Sequence, residues 1–360
     1  MRRSVAKAFT LAGVLDYESY IDLTIKEFVK ALSKHRTIDL AEMMLFYAMD
    51  SAMRVAFGDT LGSLESETDV DGTIQLIRDR FNHWGFWSSM PRLERLVYRN
   101  PISLKSKKAP SNMAAKAVSK LRAHMAGTDG NTQVDLLDRF IKASEEFSNG
   151  LDTGGVVGML MSTISGAGDT TATTMTAVIY YLLRNPDALR TLIKELQEAQ
   201  VLGVDVPSFA EISNLPYLNA VIKESMRLFP TPNWPMERKV PAGGATISGV
   251  FFPEGTTVGC MPSAVHYNRA VFGEDADVFR PERWLEVDEK TLRNMEAAHI
   301  GFSRGRRVCL GQHVATMQMK KVIPMLVLKF EVSPFIPLQR RCDNCDFIID
   351  NYTDESCPSQ

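Results

Sequence analysis

Apolar positions recur at a helical interval through most of the first 150 residues. Ser19–Leu32, Leu40–Val55, Met113–Met125 and Val134–Phe147 each place them three and four residues apart, which predicts amphipathic helices. Between these, Gly58–Asp71 is polar and turn-rich, Asn82–Met90 is aromatic, and Asn100–Ser111 reads as a loop. From Val156 to Leu183 the only charged side chain is Asp169, and the stretch is long enough to cross a bilayer. Its middle, SGAGDTTATT, is small and hydroxylated around a carboxylate, which is expensive in lipid. A long helix buried in a protein core is the better expectation. Asn185-Pro186 should end it, with Asn185 capping a new helix and Pro186 in the first turn. That helix should run to about Ala199, and another should cover Tyr217–Leu228 and stop at Pro230. Residues 231–262 mix Pro, Gly and β-branched residues, a pattern of short strands and tight turns. Gly311–Lys329 is expected as a last helix. The expected fold is mainly α with a small β region, as one domain over 1–336, followed by a polar tail over 337–360.

Composition narrows the class of protein. A chain of 360 residues can bury a large core. A net charge of −2 and a pI near 6.3 argue against a nucleic-acid-binding surface. Five cysteines are sparse and odd in number, which argues against a disulfide framework and for a reducing compartment. MRRSVAKAF is basic but no apolar segment follows it, so it does not read as a secretory signal. Cys342 and Cys345 have zinc half-site spacing, but no second pair or nearby His completes a set. Met317, Met319 and Met325 read as core filling.

Three short motifs carry candidate chemistry. The first is Phe302-Ser-Arg-Gly305-Arg-Arg307-Val-Cys309-Leu-Gly311. A lone cysteine is usually a small buried hydrophobe. Here it follows two arginines at the mouth of a predicted helix, where amides and positive charge stabilise a thiolate. Gly305 and Gly311 would let backbone pass close to a flat ligand, and Arg307 could pair with a carboxylate on it. The second is Glu224-Ser-Met-Arg227, whose ends share one helix face; such pairs are also common on exposed helices, where they contribute little. The third is Gly166-Ala167-Gly168-Asp169-Thr170-Thr171, inside the long apolar helix. It suits either a water-binding proton relay or locally satisfied hydroxyls at a kink.

The first motif resembles the haem-binding signature of the cytochrome P-450 superfamily, and the other two precede it in that family's order. The resemblance implies that Cys309 ligates the iron of haem b (iron protoporphyrin IX) and that its thiolate favours O–O cleavage. It further implies that Asp169 and Thr170 deliver protons to dioxygen. One departure stands in that segment: Ala167 replaces a Gly usual in the family, which should narrow the oxygen groove. Glu224 and Arg227, in LPYLNAVIKESMRLFP, resemble the K helix. Arg283, in Phe279-Arg-Pro-Glu-Arg283-Trp, resembles the PERF-type segment, and the three residues would form a structural network. Arg238 and Arg2 fall on positions that contact haem propionates, and Asn233–Met236 would line the substrate side. His266 lies in a matching stretch but is expected to be packed rather than a ligand.

By resemblance, then, the fold is that of a cytochrome P-450 lacking its N-terminal portion, most like fungal secondary-metabolism members. The tail after Pro337 is expected to differ from the family's closing β-hairpin. The implied activity is insertion of one oxygen atom from O2 into an apolar small molecule, with electrons from NADPH through a reductase. The alternative is a haem-binding or degenerate remnant without turnover. Family members usually sit on the cytosolic face of the endoplasmic-reticulum membrane. Substrate, pathway and site of oxidation are not specified by these residues.

Overall fold

The computed structural model describes residues 2–98, 112–127, 133–146, 152–201, 203–334 and 346–351. The chain divides into two compact units, Met1–Ala172 and Thr173–Gln360.

The first unit is helical. Its longer helices are α1 (Glu18–Leu32), α2 (Leu40–Phe57), α3 (Thr73–Trp87), α4 (Asn112–Met125), α5 (Leu136–Glu146) and the start of α6 (Thr153–Arg184). A short strand, β1 (Thr37–Asp39), leads into α2, where the Asp39 carboxylate accepts the Glu42 N–H at 3.0 Å and caps the helix. Helix α2 is buried on nearly every side, with only Ala41 and Glu42 reaching solvent. It therefore needs internal partners for its polar residues. Arg54 is held in a two-point pair by Glu27 of α1 (2.8 and 3.0 Å) and also reaches Thr24. Asp50 accepts the N–H groups of Leu61, Ser63 and Leu64, and so orders the polar stretch that follows the helix. Packing, rather than local propensity, gives that turn-rich sequence its shape.

Helix α6 is the long apolar helix anticipated from the sequence. It is continuous from Thr153 to Arg184, and the division between the two units falls within it. Among the described residues, no helix is long and apolar enough to cross a membrane. In the first unit, Gly168 of α6 lies so close to Met49 of α2 that a Cβ there would collide with its sulfur.

The second unit continues with α7 (Pro186–Glu198), α8 (Pro216–Leu228), α9 (Glu289–Ala298) and α10 (Gln312–Lys329). Pro186 opens α7 as expected, but Asn185 does not cap it. The Asn185 amide instead turns back to the Tyr181 carbonyl at 2.7 Å, closing the helix behind it. The cap of α8 comes from afar: the Glu195 carboxylate accepts the N–H groups of Tyr217 and Leu218 at 2.7 and 2.8 Å. Residues 231–262 form β2 (Arg238–Lys239), β3 (Ala245–Ile247), β4 (Val250–Phe252) and β5 (Thr257–Val258), paired antiparallel as β2–β5 and β3–β4. Met317, Met319 and Met325 of α10 are buried, as core filling requires. Beyond α10, β6 (Phe330–Pro334) pairs antiparallel with β7 (Asp346–Asn351), from Phe330↔Asn351 to Pro334↔Phe347. The expectation of a tail without a closing hairpin is thus corrected: Phe347-Ile348-Ile349 gives the polar tail a β-forming run. Cys342, Cys345 and Cys357 lie outside the described residues.

Candidate functional site

The Cys309 loop is built by backbone. Residues Gly305–Arg307 make one 3-10 turn, and the Cys309 N–H returns to the Phe302 carbonyl at 2.8 Å. Gly305 has φ +69°, a left-handed conformation that glycine adopts without strain. Phe302 is half-buried, while the Cys309 thiol and the Arg306 and Arg307 side chains are exposed. Arg304 is drawn away to the Glu296 and Ala297 carbonyls, at 3.0 and 2.6 Å. Helix α10 starts shortly after Cys309 behind Gly311, whose lack of a side chain leaves the first turn without a side-chain cap. Positive charge and oriented amides of this kind favour a thiolate. A Cβ built on Gly305 or Gly311 would meet nothing within 4 Å, so both glycines face open space. Exposed thiol, open flank and two cations together fit a flat, anionic prosthetic group such as haem.

Glu224, Arg227 and Arg283 are brought together in the same unit, with all three side chains almost fully buried. Arg227 meets Glu224 at two points, 2.8 and 2.9 Å, and Arg283 Nε reaches the same carboxylate at 3.2 Å. Trp284 Nε1 and the Arg280 N–H also donate to it, at 3.0 and 3.1 Å. The remaining guanidinium donors go to backbone and to Asp275. Arg227 bonds the carbonyls of His266, Ala276 and Val278, while Arg283 bonds those of Phe272 and Asp275 and the Asp275 carboxylate. A buried charge cluster is tolerable only when so completely satisfied. Neighbouring cations hold the Asp275 carboxyl below its ordinary range, led by its hydrogen bond to Arg283.

Two histidines beside this network were not both legible as a pair. His266 is fully buried, as its expected packed role requires, and its ring stacks on His299 with centroids 5.1 Å apart and planes 10° apart. His299 sits ten residues ahead of Cys309, and no motif marks it. Burial, reinforced by nearby cations, pushes His266 down to about 4 and His299 to about 3.

Asp169 and Thr170 lie side by side on α6. The Thr170 hydroxyl donates to the Gly166 carbonyl at 2.7 Å, one turn back along the helix. Asp169 is half-buried, and desolvation raises its carboxyl above the ordinary range while the Arg78 cation of α3 pulls it partly back. Arg78 had no mark in the sequence, because only the fold brings its field to Asp169. Elsewhere, Arg238 is exposed on β2 and donates to the Glu237 carbonyl at 2.7 Å. Arg2 is half-buried in a helical turn at the start of the first unit. Near Trp234, the Asn233 side chain accepts the Ser263 N–H at 3.2 Å.

Known proteins resemble this chain in sequence and in fold. A cytochrome P450 family model matches residues 1–346. A cytochrome P450 monooxygenase of Aspergillus terreus is 34% identical over 92% of this chain and 70% of its own length. Another from Emericella nidulans, pkfB, is 34% identical over 96% of this chain and 69% of its own. A pisatin demethylase of Fusarium vanettenii is 30% identical over 92% of this chain and 65% of its own. The fold matches the crystal structure of the cytochrome P450DA heme domain with a TM-score of 0.82, over 99% of this chain and 78% of that one, at 18% identity. This chain belongs to the cytochrome P450 family. Within it, the chain is a member of the monooxygenase group, with relatives in fungi. Membership implies a haem-thiolate cofactor, dioxygen, a small-molecule substrate and a redox partner.

Proposed function

We propose that this chain inserts one atom of O2 into an apolar small molecule in fungal secondary metabolism, with electrons from NADPH through a reductase. The observation that carries the reading is the exposed Cys309 thiol at the start of α10, flanked by Gly305, Gly311 and Arg307. Haem, when bound, supplies oxygen activation, and the protein supplies everything around it. Cys309 would hold the iron as thiolate. Phe302, Gly305 and Gly311 shape the loop around it. Arg307, Arg238 and Arg2 would meet the propionates.

Asp169 and Thr170 would move protons. A carboxyl raised by burial keeps its proton closer to neutral pH, which suits a donor. A threonine hydroxyl that donates to a carbonyl still offers its oxygen as an acceptor. In this reading the Asp169 carboxyl holds the proton to be delivered, and the Thr170 oxygen serves as a hydrogen-bond acceptor. Glu224, Arg227 and Arg283 hold the fold in this reading and touch no reactant.

The test is spectroscopic. The haem-loaded, reduced chain should give the red-shifted carbon monoxide band of a thiolate ligand. Cys309→Ser should lose that band and Cys260→Ser should keep it. A haem-loaded chain without the band would match the non-catalytic alternative and overturn the proposal.

A further inference from the structure

The segment leading into the Cys309 loop is tied to α8 through one imidazole. His266 Nδ1 lies 3.0 Å from the Arg227 carbonyl, and the Ile300 N–H points to His266 Nε2 at 2.9 Å. A carbonyl can only accept and an amide can only donate, so the ring carries its single proton on Nδ1. Neither partner leaves room for a second proton. Just beyond Ile300, Gly301 is seated so closely on α8 that a Cβ there would come within 2.9 Å of Met226 Cε. The Ser303 N–H then returns to the Ile300 carbonyl at 2.8 Å, and Phe302, between them, takes the Cys309 N–H. A short run of backbone bonds thus joins His266 to the thiol-bearing residue. His299 adds a second tie, its Nε2 donating to the Lys223 carbonyl of α8 at 3.2 Å.

We propose that His266 is a positioning residue for Cys309: its neutral Nδ1–H form pins the incoming segment to α8, and a proton on Nε2 releases it. The proposal rests on Cys309 being the iron ligand. The groups that face the ring leave an imidazolium unsupported. From α8 come the Arg227 guanidinium, bonded to the His266 carbonyl, and the Glu224 carboxylate, already occupied by Arg227, Arg283 and Trp284. From the incoming segment comes the stacked His299, and from α8, beyond that ring, the Lys223 ammonium, which sits 5.5 Å over the Trp284 ring. Among the described residues, no carboxylate hydrogen-bonds His266 Nε2. The new proton would meet an N–H in a fully buried site, which costs both the lost bond and the desolvation of the charge. The downward shift of His266 agrees with that arrangement.

Two readouts test the proposal on the full, haem-loaded chain. The first is hydrogen exchange of the segment around Ile300, corrected for the intrinsic pH dependence of exchange. Loss of one buried hydrogen bond should speed exchange there by about tenfold or more. We expect this in His266→Phe at neutral pH, and in the unaltered chain on acidification. His266→Gln can donate and accept through one amide but does not titrate. It should keep protection at neutral pH and lose the acid response. The second readout is the thiolate fraction of the reduced carbon monoxide complex, which should follow the same pattern. Wild-type protection in His266→Phe, or an unchanged acid response in His266→Gln, would overturn the proposal. If the Phe variant does not fold, the Gln titration alone decides. Should the unaltered chain lack a thiolate band at neutral pH, Cys309 as ligand fails, and the exchange data still judge the tie itself.

Discussion

At the scale of single residues, charge and its satisfaction decide most outcomes. Glu224 is fully buried and accepts from two guanidiniums, an indole and an amide. Glu224→Gln keeps the shape but strands two cations, so we expect a loss of roughly 3–5 kcal/mol of folding stability, read from urea unfolding. A drop of under about 1 kcal/mol would mean the network is much more solvated than its burial implies. Asp169 allows a finer prediction. Burial raises its carboxyl and Arg78 opposes that rise, so Arg78→Ala should raise it further. If Asp169 delivers protons, the alkaline limb of coupled product formation moves to higher pH in that variant. The pH profile of product formed per O2 consumed checks this, and an unmoved limb would show that Arg78 does not tune the Asp169 carboxyl. The E-x-x-R pair was legible as a short motif, and the structure joins it to Arg283; the Asp–Thr pair and Cys309 stand out by the same kind of motif, and their roles are proposals. Arg78 and His299 were not legible, since their relevance arises only from through-space neighbours.

At the scale of elements, periodicity located most of the longer helices to within two residues, but it missed α3 and did not show what caps each end. The helix over Leu40–Phe57 was visible as an apolar repeat, but nothing local showed that Asp50 within it would organise Leu61–Leu64. Asn185 had the right residue type for a cap, yet its amide finds the nearer Tyr181 carbonyl. Glu195, from another helix, caps α8 instead, and such long-range caps leave no mark in spacing. Residues Phe347–Ile349 show the reverse error, where overall polarity of the tail hid a short strand. The glycine motif of α6 also divides on inspection. Gly166 faces open space, whereas Gly168 is the seat of Met49. Gly168→Ala should therefore destabilise by about 1–3 kcal/mol through overpacking, and Met49→Ala should relieve that penalty in the double variant. Simple additivity of the two changes would show that the contact is not what keeps Gly168 small.

At the scale of the whole molecule, stability should depend on pH in a direction set by His266 and His299. Both have lowered values, so the folded chain resists protonation that the unfolded chain accepts. Their contribution is complete above the unfolded value of about 6.5 and is lost as pH falls from there toward about 4, the folded value of His266. Urea midpoints should fall across that window, and less so in His266→Gln. A flat profile would mean that the histidine shifts are absent, since a lowered carboxyl such as Asp275 titrates below this window. Family and fold class were readable from the order of three motifs along the chain, because each sits on a separate element of the fold. Substrate choice was not, since no residue pattern here encodes one.

The exposure of Cys309 also bears on how the chain must be assembled. A thiolate stabilised by amides and arginines is a good nucleophile and a good target for oxidants. Before haem arrives, the residue most needed for function would be the one most open to sulfenic-acid formation or glutathione capping. Cofactor loading would then act as chemical protection as well as activation. Iodoacetamide offers a direct check: it should alkylate Cys309 faster than the exposed Cys260 in haem-free chain and spare it once haem is bound. Equal labelling of both thiols, with or without haem, would show that the cofactor does not shield Cys309.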